Sequence, residues 1–460
     1  MAKRIDFNFD NTLASRVGAE GLTANDLDYS SSKDVVNAFR ARVDSGEIGF
    51  PNLPDDKRVI GAINEFAQSM RKDIDDVLLV GIGGSALGPY ALDVAIRGPH
   101  PVQLDVSGKA AGKKIVTRPR LVVLDNVDPG LIDAALSSLN PKRTAVCVIT
   151  KSGSTAESLA QLLIVREWMT KSLGKKARSR IIAVTDPQKG ELLKIAQEEK
   201  YPLFFVPANI GGRFSVFSPV GLVPAALIGL DINALMKGAR DANALCWKTN
   251  ANDNPALQSA YVHYALDTKR QKKIEVVFAY SSYLWASAFW YRQLWAESLG
   301  KKVNRKGEVV HTGQTPVAAL GVTDQHSQVQ LYAEGPKDKM ITFWGVDKYR
   351  KDVKIPKDLK QYDSTGYLGG KMMSSLFTAE RRATEAALTE AGQPNCRWML
   401  PQVDEYNIGA FFQMLEFQTA FCGELYGIDA FDQPGVELGK KLTYGLMGRK
   451  GYEDFAKMLK

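Results

Sequence analysis

The stretch VLLVGIGGSALGP, residues 77–89, decides the fold class of this chain of 460 residues. Its first four residues are apolar and typical of a buried strand. Glycines and small residues follow before a helical pattern begins. A strand, a glycine turn and a helix in succession indicate a parallel sheet covered by helices. The turn would then lie at the carboxyl end of the strand, where open α/β sheets bind ligands.

Similar short apolar runs recur along the chain. One series predicts strands at 77–80, 121–124, 145–149, 181–184 and 203–206, and a less regular series predicts strands at 274–279, 317–321 and 340–344. Because helical patterns separate several of these runs, we predict an α/β protein with two α/β/α subdomains and parallel central sheets. We place the subdomains at 56–240 and 255–440, joined by the polar stretch KTNANDNP at 248–255. Residues 1–55 are expected to form helices and loops against this body, and 441–460 a C-terminal tail.

The net charge of +8 suits an anionic partner such as a phosphorylated metabolite, nucleic acid or a membrane surface. The basic clusters at 269–273 and 348–360 lack the aromatic pattern of a nucleic-acid surface, and we expect them to be solvated. The best apolar run, 220–230, is too short to cross a bilayer. A phosphorylated small molecule is therefore the favoured partner, with no nucleic acid and no membrane.

The first residues, MAKRIDFNFDNTL, show no apolar region of a secretory signal, which favours a cytoplasmic location. The cysteines, Cys147, Cys246, Cys396 and Cys422, have no C-x-x-C spacing and are expected to be free buried thiols. No His or Cys pair has the spacing of metal ligands, so we expect no metal.

Two predicted strands end in loops suited to phosphate. The glycine loop, GIGGSALG at 81–88, contains Gly83, Gly84 and Ser85. The hydroxyl loop, TKSGSTAES at 150–158, offers hydroxyls and one cation from Thr150, Lys151, Ser152, Ser154 and Thr155. Hydroxyls and free N–H groups at a helix N-terminus donate to phosphate oxygens, and the helix dipole favours the anion. We therefore expect the two loops to bind one phosphate.

The glycine loop also satisfies a dinucleotide-binding pattern through Gly81, Gly83 and Ala86. That interpretation needs an acidic residue about 20 positions on. Asp105 is at a tolerable distance but belongs to a weak strand pattern, PVQLDVSGK. The hydroxyl loop has no obvious role in binding NAD. A sugar phosphate is thus favoured over a dinucleotide or a purely structural turn.

The segment YLWASAFWYRQLWAESLGKK, 283–302, is apolar or aromatic over much of its length, which predicts a largely buried helix. Gln293 and Glu297 lie four positions apart and share a face of that helix. A carboxylate in apolar surroundings holds a proton more tightly unless a cation compensates, and such a group can act as a general base near neutral pH. The alternative is a structural glutamate paired with Lys301 or Arg292.

Three further patterns hold candidate residues. In IGGRFSVFSPVGLVPAAL (210–227), Arg213 precedes an apolar helix and is either a cation facing a ligand or a loop anchor. His326 lies in the polar loop GVTDQHSQVQ (321–330), where a structural role is the alternative. FDQPGVELGKKLTYGL (431–446) offers Gln433 before a Pro-Gly turn and Lys440 in the helix that follows; pattern alone indicates only a capped helix.

Together these segments resemble the glucose-6-phosphate isomerase family, in its shorter bacterial form. The motifs are GIGGSALGP, TKSGSTAES, GGRFS, QLWAESLGK, DQHSQVQ and FDQPGVELGKKL, and their order and spacing agree over about residues 60–445. Each motif is weak alone, but the set is highly specific.

The resemblance implies two sugar-isomerase subdomains, usually in a homodimer whose histidine reaches the neighbouring subunit's site. It also implies roles for particular residues. Phosphate ligands fall on Ser85, Thr150, Lys151, Ser152 and Thr155; the general base on Glu297; ring opening on His326 with Lys440; enediolate stabilisation on Arg213; and sugar contacts on Gly83, Gly84, Gln293 and Gln433. The implied reaction interconverts glucose 6-phosphate and fructose 6-phosphate without a cofactor.

The hydroxyl loop departs from the family's common S-K-[ST]-G-T-T-x-E-T at Thr150, Ser154 and Ser158, each a hydroxyl for a hydroxyl. Three alternatives remain open. They are a sugar-phosphate sensor without catalysis, an NAD-dependent dehydrogenase that uses the glycine loop, and an isomerase that also accepts mannose 6-phosphate.

Overall fold

The structure is a computed structural model that describes residues 4–99 and 119–459. Its strands are β1 (Asp6–Asn8), β2 (Asp76–Val80), β3 (Arg120–Leu124), β4 (Thr144–Ile149), β5 (Ile181–Thr185), β6 (Leu203–Phe205), β7 (Ile274–Ala279), β8 (Lys301–Val303), β9 (Val309–Thr312), β10 (Thr315–Leu320), β11 (Lys339–Lys348) and β12 (Asn395–Gln402).

The helices of the first half are α1 (Ala14–Val17), α2 (Ser32–Asp44), α3 (Lys57–Met70), α4 (Leu87–Arg97), α5 (Pro129–Ser138), α6 (Ala156–Leu173), α7 (Glu191–Glu199), α8 (Pro219–Leu227) and α9 (Ile232–Cys246). Those of the second half are α10 (Pro255–Arg270), α11 (Trp285–Leu299), α12 (Val329–Glu334), α13 (Asp363–Gly366), α14 (Met373–Glu390), α15 (Glu405–Tyr426), α16 (Glu437–Leu446) and α17 (Glu453–Lys457).

Two five-stranded sheets organise the described part of the chain, and β8 and β9 form a separate antiparallel pair. The first has the order β3-β2-β4-β5-β6, and all its neighbouring strands are parallel. The second has the order β1-β12-β11-β7-β10 and is parallel except for β1, which pairs antiparallel with β12. The predicted fold class is confirmed, and each predicted strand is present. The continuous apolar runs predicted these strands because both of their faces are covered.

Strands β1, β8, β9 and β12 escaped the prediction. β12 has the sequence NCRWMLPQ, whose polar residues and proline break the apolar run, and β1 is only DFN. The N-terminal segment was expected to hold helices and loops. Helix α2 fits, but Asp6–Asn8 forms an edge strand because Phe7 packs on Trp398, with ring centroids 4.7 Å apart.

Successive side chains of each strand point to opposite faces of its sheet, and this divides the core into three layers. Val77 and Leu79 of β2 belong to a central cluster that also contains Val277 of β7, whereas Leu78 belongs to an outer cluster on the other face of the first sheet. The second sheet has its own outer cluster, which includes Phe278. The two sheets therefore share the central layer of apolar side chains.

Helix α15 runs through that shared layer. Its Phe412 stacks on Trp290 of α11 at 4.2 Å between ring centroids, and Phe411 meets the ring of Trp344 at 4.9 Å. Helix α11 was correctly predicted to be largely buried. The predicted connector at 248–255 lies between α9 and α10, and α16 spans the boundary placed at 440. The four-part division of the chain stays a prediction.

A buried carboxylate ties α11 to the second sheet. Glu275 of β7 accepts from Tyr291 of α11 at 3.1 Å and lies 2.9 Å from Nε2 of His263, and all three side chains are buried. Desolvation and the Glu275 charge raise the pKa of Tyr291 well above its usual value. Tyr291 therefore remains a donor to this carboxylate, which fixes the helix that carries Gln293 and Glu297.

The sequence predicted that the basic cluster at 269–273 is solvated. The structure shows that part of it is buried and paired. Lys272 is fully buried and forms an ion pair with Glu20, and Arg270 Nη2 lies 2.5 Å from Asp26 Oδ2. These pairs fasten the N-terminal segment to the end of α10. The four cysteines are free and buried, as predicted. Among the helices of residues 4–99 and 119–459, none has both the length and the apolar character required to cross a membrane.

Candidate active site

The glycine loop and the hydroxyl loop leave the first sheet side by side. β2 and β4 are parallel neighbours, with Val80 opposite Val148, so both loops start at the same edge. A Cβ built on Gly81 would lie 3.0 Å from Cβ of Ser85 and 3.3 Å from the carbonyl oxygen of Ile149. Ser85 and the start of the hydroxyl loop are therefore next to each other.

The glycine pair is enclosed by other parts of the chain. A Cβ on Gly84 would lie 2.2 Å from the carbonyl oxygen of Gly212, and Gly83 has a φ of 57° with Gln293 Nε2 3.0 Å from its Cβ position. We expected these glycines to admit a ligand. The structure gives a different reason for glycine at position 84, because a side chain there would overlap the turn Gly212–Phe214. This close contact brings the glycine loop against Arg213. Asp105, on which the dinucleotide interpretation depends, lies outside the described residues.

The hydroxyl loop forms a cluster of three hydroxyls. Thr150 Oγ1 lies 2.7 Å from Thr155 Oγ1, and Ser152 Oγ lies 3.2 Å from the same atom. Thr155 directly precedes α6, a helix of 18 residues, and its side chain does not cap that helix. The cluster thus stands at a helix N-terminus whose first N–H groups are available to an anion.

Lys151 is placed differently from its hydroxyl neighbours. Its Nζ donates to the carbonyl oxygens of Ala208 at 2.8 Å and Ile210 at 2.6 Å. Burial lowers the pKa of Lys151, while the charge of Asp186 opposes that shift. In this conformation the cation holds the loop that leads to Arg213 and leaves the three hydroxyls to line the N-terminus of α6.

Arg213 is the centre of the second part of the site. Its Nε donates to Ser298 Oγ at 2.7 Å, and its Nη1 donates to Gln433 Oε1 at 3.0 Å. The same Nη1 lies 3.4 Å from Glu297 Oε2. The side chain is 2% exposed, and its bonds show that Arg213 anchors loops and lies beside Glu297. That it faces a ligand stays a prediction.

The other terminal nitrogen of Arg213 bonds the loop before α16. Nη2 donates to the carbonyl oxygens of Ala430 at 2.5 Å and Asp432 at 2.9 Å. We call residues 430–436 the DQPG loop. Burial lowers the pKa of Arg213, and the charges of Glu297 and Asp432 act in the opposite direction. All five N–H donors of the guanidinium thus have acceptors within the protein.

Glu297 stands at the edge of the buried helix and not within its aromatic part. Its side chain is 37% exposed, and its Oε1 accepts from Gln293 Nε2 at 3.1 Å. The alternative, a structural pairing with Lys301 or Arg292, does not hold for the carboxylate, because its cationic neighbour is Arg213. Lys301 donates instead to the main-chain oxygen of Glu297 at 2.8 Å. The carboxylate is thus accessible and lies beside a buried cation, not in the apolar surroundings that its sequence suggested.

Two predicted residues stand apart from this group. His326 is exposed at the end of the turn Thr323–His326 that follows β10. Lys440 is exposed on α16 and forms an ion pair with Glu437 at 2.8 Å. In the part of the chain that the structure describes, no hydrogen bond or ion pair joins either side chain to Glu297.

Sequence reasoning missed Ser298 and Asp432, which contact predicted residues directly, and it considered Lys301 only as a partner of the Glu297 carboxylate. Ser298 and Lys301 both lie within the quoted motif QLWAESLGK, and Asp432 lies within FDQPG. Their positions in those motifs were the only available indication. Which atoms they bond depends on contacts between segments more than 80 residues apart in sequence.

Comparison with known proteins shows the family of this chain. The model of the family described as phosphoglucose isomerase matches residues 60–451. The chain belongs to the phosphoglucose isomerase family. It is 43% identical to the glucose-6-phosphate isomerase of Carboxydothermus hydrogenoformans over 99% of this chain and 96% of that one. It is 41% identical to the enzyme of the same name from Rubrobacter xylanophilus over 94% and 96% of the two chains.

Solved structures show the same architecture. A hypothetical protein from Thermus thermophilus superposes with a TM-score of 0.83 at 36% identity, over 96% of this chain and all of that one. A glucose-6-phosphate isomerase from Chlamydia trachomatis has a TM-score of 0.75 at 24% identity, over 88% of this chain and 76% of that one, and supports the fold alone. The phosphoglucose isomerase fold of this chain is thus shared by solved structures.

The contact between the glycine loop and the Arg213 turn provides a stability test. Gly84→Ala should lower the free energy of unfolding by roughly 1–3 kcal/mol, because its methyl group would overlap the carbonyl of Gly212. Gly212→Ala is the matched control, since its Cβ would meet nothing within 4 Å. We expect that control to change the free energy by no more than about 0.5 kcal/mol in urea titrations. Equal stabilities of the two variants would contradict the close contact.

Proposed function

We propose that the protein interconverts D-glucose 6-phosphate and D-fructose 6-phosphate. The observation that carries this proposal is the accessible Glu297 carboxylate, held by Arg213 and Gln293. Gln293 also lies against Gly83 of the glycine loop, and that loop starts beside the hydroxyl loop. One end of the arrangement suits a terminal phosphate and the other suits proton transfer at carbon. The reaction moves protons within one substrate, so it needs no oxidant or reductant.

The phosphate would bind in the hydroxyl loop. Thr150, Ser152 and Thr155 can turn their hydroxyl hydrogens towards an anion, and Ser85 adjoins them from the glycine loop. The N-terminus of α6 adds N–H donors and a favourable dipole. Lys151 contributes its positive charge nearby, although its Nζ also holds the loop at 208–210. Phosphate binding then fixes the sugar and supplies binding energy remote from the reacting carbons.

The sugar would lie across Gly83 and Gly84 towards Gln293 and Gln433. Ring opening requires a proton to move between the ring oxygen and the anomeric hydroxyl. We assign this transfer to His326, assisted by Lys440. Lys440 follows the DQPG loop in the same chain, whereas the exposed His326 would come from a second copy of the chain.

Glu297 would then carry the proton between C2 and C1 of the open sugar. When Glu297 takes up the proton, its negative charge passes to the enediolate, which stands beside the same Arg213. The guanidinium therefore has an anionic neighbour before and after the transfer. Because its five donors are engaged by protein acceptors, we expect Arg213 to act on the enediolate mainly through its charge. A fixed charge of this kind needs little reorganisation during the reaction.

We further propose a homodimer in which each active site receives His326 from the partner subunit. The exposure of His326, away from Glu297 of its own chain, supports this arrangement. We also propose a cytoplasmic location. Its support is that all four cysteines are free and buried, as is common in reducing compartments.

Replacing the proposed base tests the chemistry directly. Glu297→Gln should lower kcat by about 10²–10⁴-fold, because the amide cannot accept the proton from carbon. Binding of a phosphorylated enediolate analogue should be largely retained. The exposed Glu198→Gln serves as the control. A coupled assay from fructose 6-phosphate to glucose 6-phosphate measures both, and near-normal turnover in Glu297→Gln would exclude this glutamate as the base.

A second substitution tests the phosphate end. Thr155→Val should raise KM and the inhibition constant of inorganic phosphate by roughly 10- to 100-fold, since a hydrogen bond to a charged group contributes about 1.5–3 kcal/mol. Ser154→Ala, in the same loop but outside the three-hydroxyl cluster, should change both constants little. If Thr155→Val lowers kcat and leaves the phosphate constant unchanged, the hydroxyl cluster is not the phosphate site.

Mixing two inactive variants tests the shared site. Glu297→Gln and His326→Ala subunits, unfolded and refolded together in equal amounts, should recover about a quarter of wild-type activity, because mixed dimers would contain one intact site each. The separately refolded variants are the controls. A mixture that stays as inactive as its components would show that His326 and Glu297 do not combine across subunits.

A further inference from the structure

Lys301 has a buried ammonium group that bonds two segments of the proposed active site. Nζ donates to the main-chain oxygen of Glu297 at 2.8 Å and to that of Asp432 at 2.5 Å, and lies 3.1 Å from Asp432 Oδ1. The residue is 8% exposed. An ammonium has three N–H donors, so these contacts use all of its hydrogen-bonding capacity. Lys301 is therefore unavailable to substrate and acts within the protein.

The two contacts join the end of α11 to the DQPG loop. The bond to the oxygen of Glu297 lies in the last turn of α11, where a cation also interacts favourably with the helix dipole. The bond to Asp432 reaches the residue before Gln433. Arg213 Nη2 donates to the same Asp432 oxygen at 2.9 Å. Two buried cations thus donate to one main-chain oxygen. They fix the position of the segment that leads into α16 and Lys440.

We infer that Lys301 is a positioning residue for ring opening, because it holds the DQPG loop and the Lys440 helix in register with the Glu297 helix. This inference rests on the proposed isomerase function. The contacts of the Glu297 carboxylate with Arg213 and Gln293 do not involve the Lys301 side chain. The DQPG loop would keep its Arg213 bonds and the packing of Phe431 on Phe50 and Phe214, but it would lose both polar contacts of Lys301 to Asp432. Loss of Lys301 therefore affects Lys440 more than Glu297.

The experiment measures two steps separately. Exchange between the α and β anomers of glucose 6-phosphate, followed by NMR, reports ring opening, and the coupled assay reports isomerisation. The test variant is Lys301→Met, which keeps the length of the side chain and removes its charge and donors. Lys302→Met is the matched control, since Lys302 is exposed on the same strand. Lys301→Arg retains the cation, and Glu297→Gln provides the contrasting pattern.

Lys301→Met should slow anomer exchange by up to about 100-fold, the effect expected when a reacting group is misplaced by about 1 Å. Isomerisation should fall with it, while Lys302→Met remains at the wild-type rate and Lys301→Arg recovers most of the loss. Glu297→Gln should instead retain anomer exchange and lose isomerisation.

Two results would overturn the inference. In the first, Lys301→Met keeps the wild-type rate of anomer exchange, so that Lys301 acts only on α11. In the second, both rates fall by the fraction of protein that is unfolded, as measured by circular dichroism on the same samples. If the wild-type protein catalyses neither exchange nor isomerisation, the proposed function fails, and that outcome is distinct from both.

Discussion

The buried guanidinium of Arg213 is the interaction on which the site depends. A charge taken out of water is costly unless it is paired and fully hydrogen-bonded. Here Ser298, Glu297 and Gln433 accept from one side of the group, and two main-chain oxygens of the DQPG loop accept from the other. The same bonds that satisfy the cation bring together segments from three distant parts of the sequence. A shorter or neutral side chain would leave several of these acceptors unpaired at once.

The sequence contained enough information to predict most of the scaffold. Strands such as Thr144–Ile149 are apolar along their whole length because helices cover both faces, so their pattern directly reports their surroundings. Helix α11 was equally clear from its aromatic residues. The hydroxyl loop was predictable because it follows such a strand and because Thr150, Ser152 and Thr155 are close in sequence. Sequence patterns were therefore sufficient for features formed by residues that are close in sequence.

The bonding partners of the site residues were not predictable in the same way. Lys151 and Ser152 are adjacent in sequence, yet one bonds the main chain near Ile210 and the other stays in the hydroxyl cluster. The alternative partners considered for Glu297, Lys301 and Arg292, are close to it in sequence, but its cationic neighbour comes from a turn 84 positions earlier. Such choices are decided by the packing of segments that meet only in the folded chain. The edge strand Asp6–Asn8 escaped prediction for the same reason.

The central apolar layer common to both sheets limits how the molecule can move. Phe412 of α15 stacks against Trp290 of α11, and side chains of both sheets belong to this one cluster. A hinge between the sheets would have to open that layer and expose large aromatic surfaces to water. Adjustment to a ligand is therefore confined to the loops at the strand ends and to the exposed helix α16. The packed interior therefore resists deformation, and the proposed binding surface is the part that can adjust.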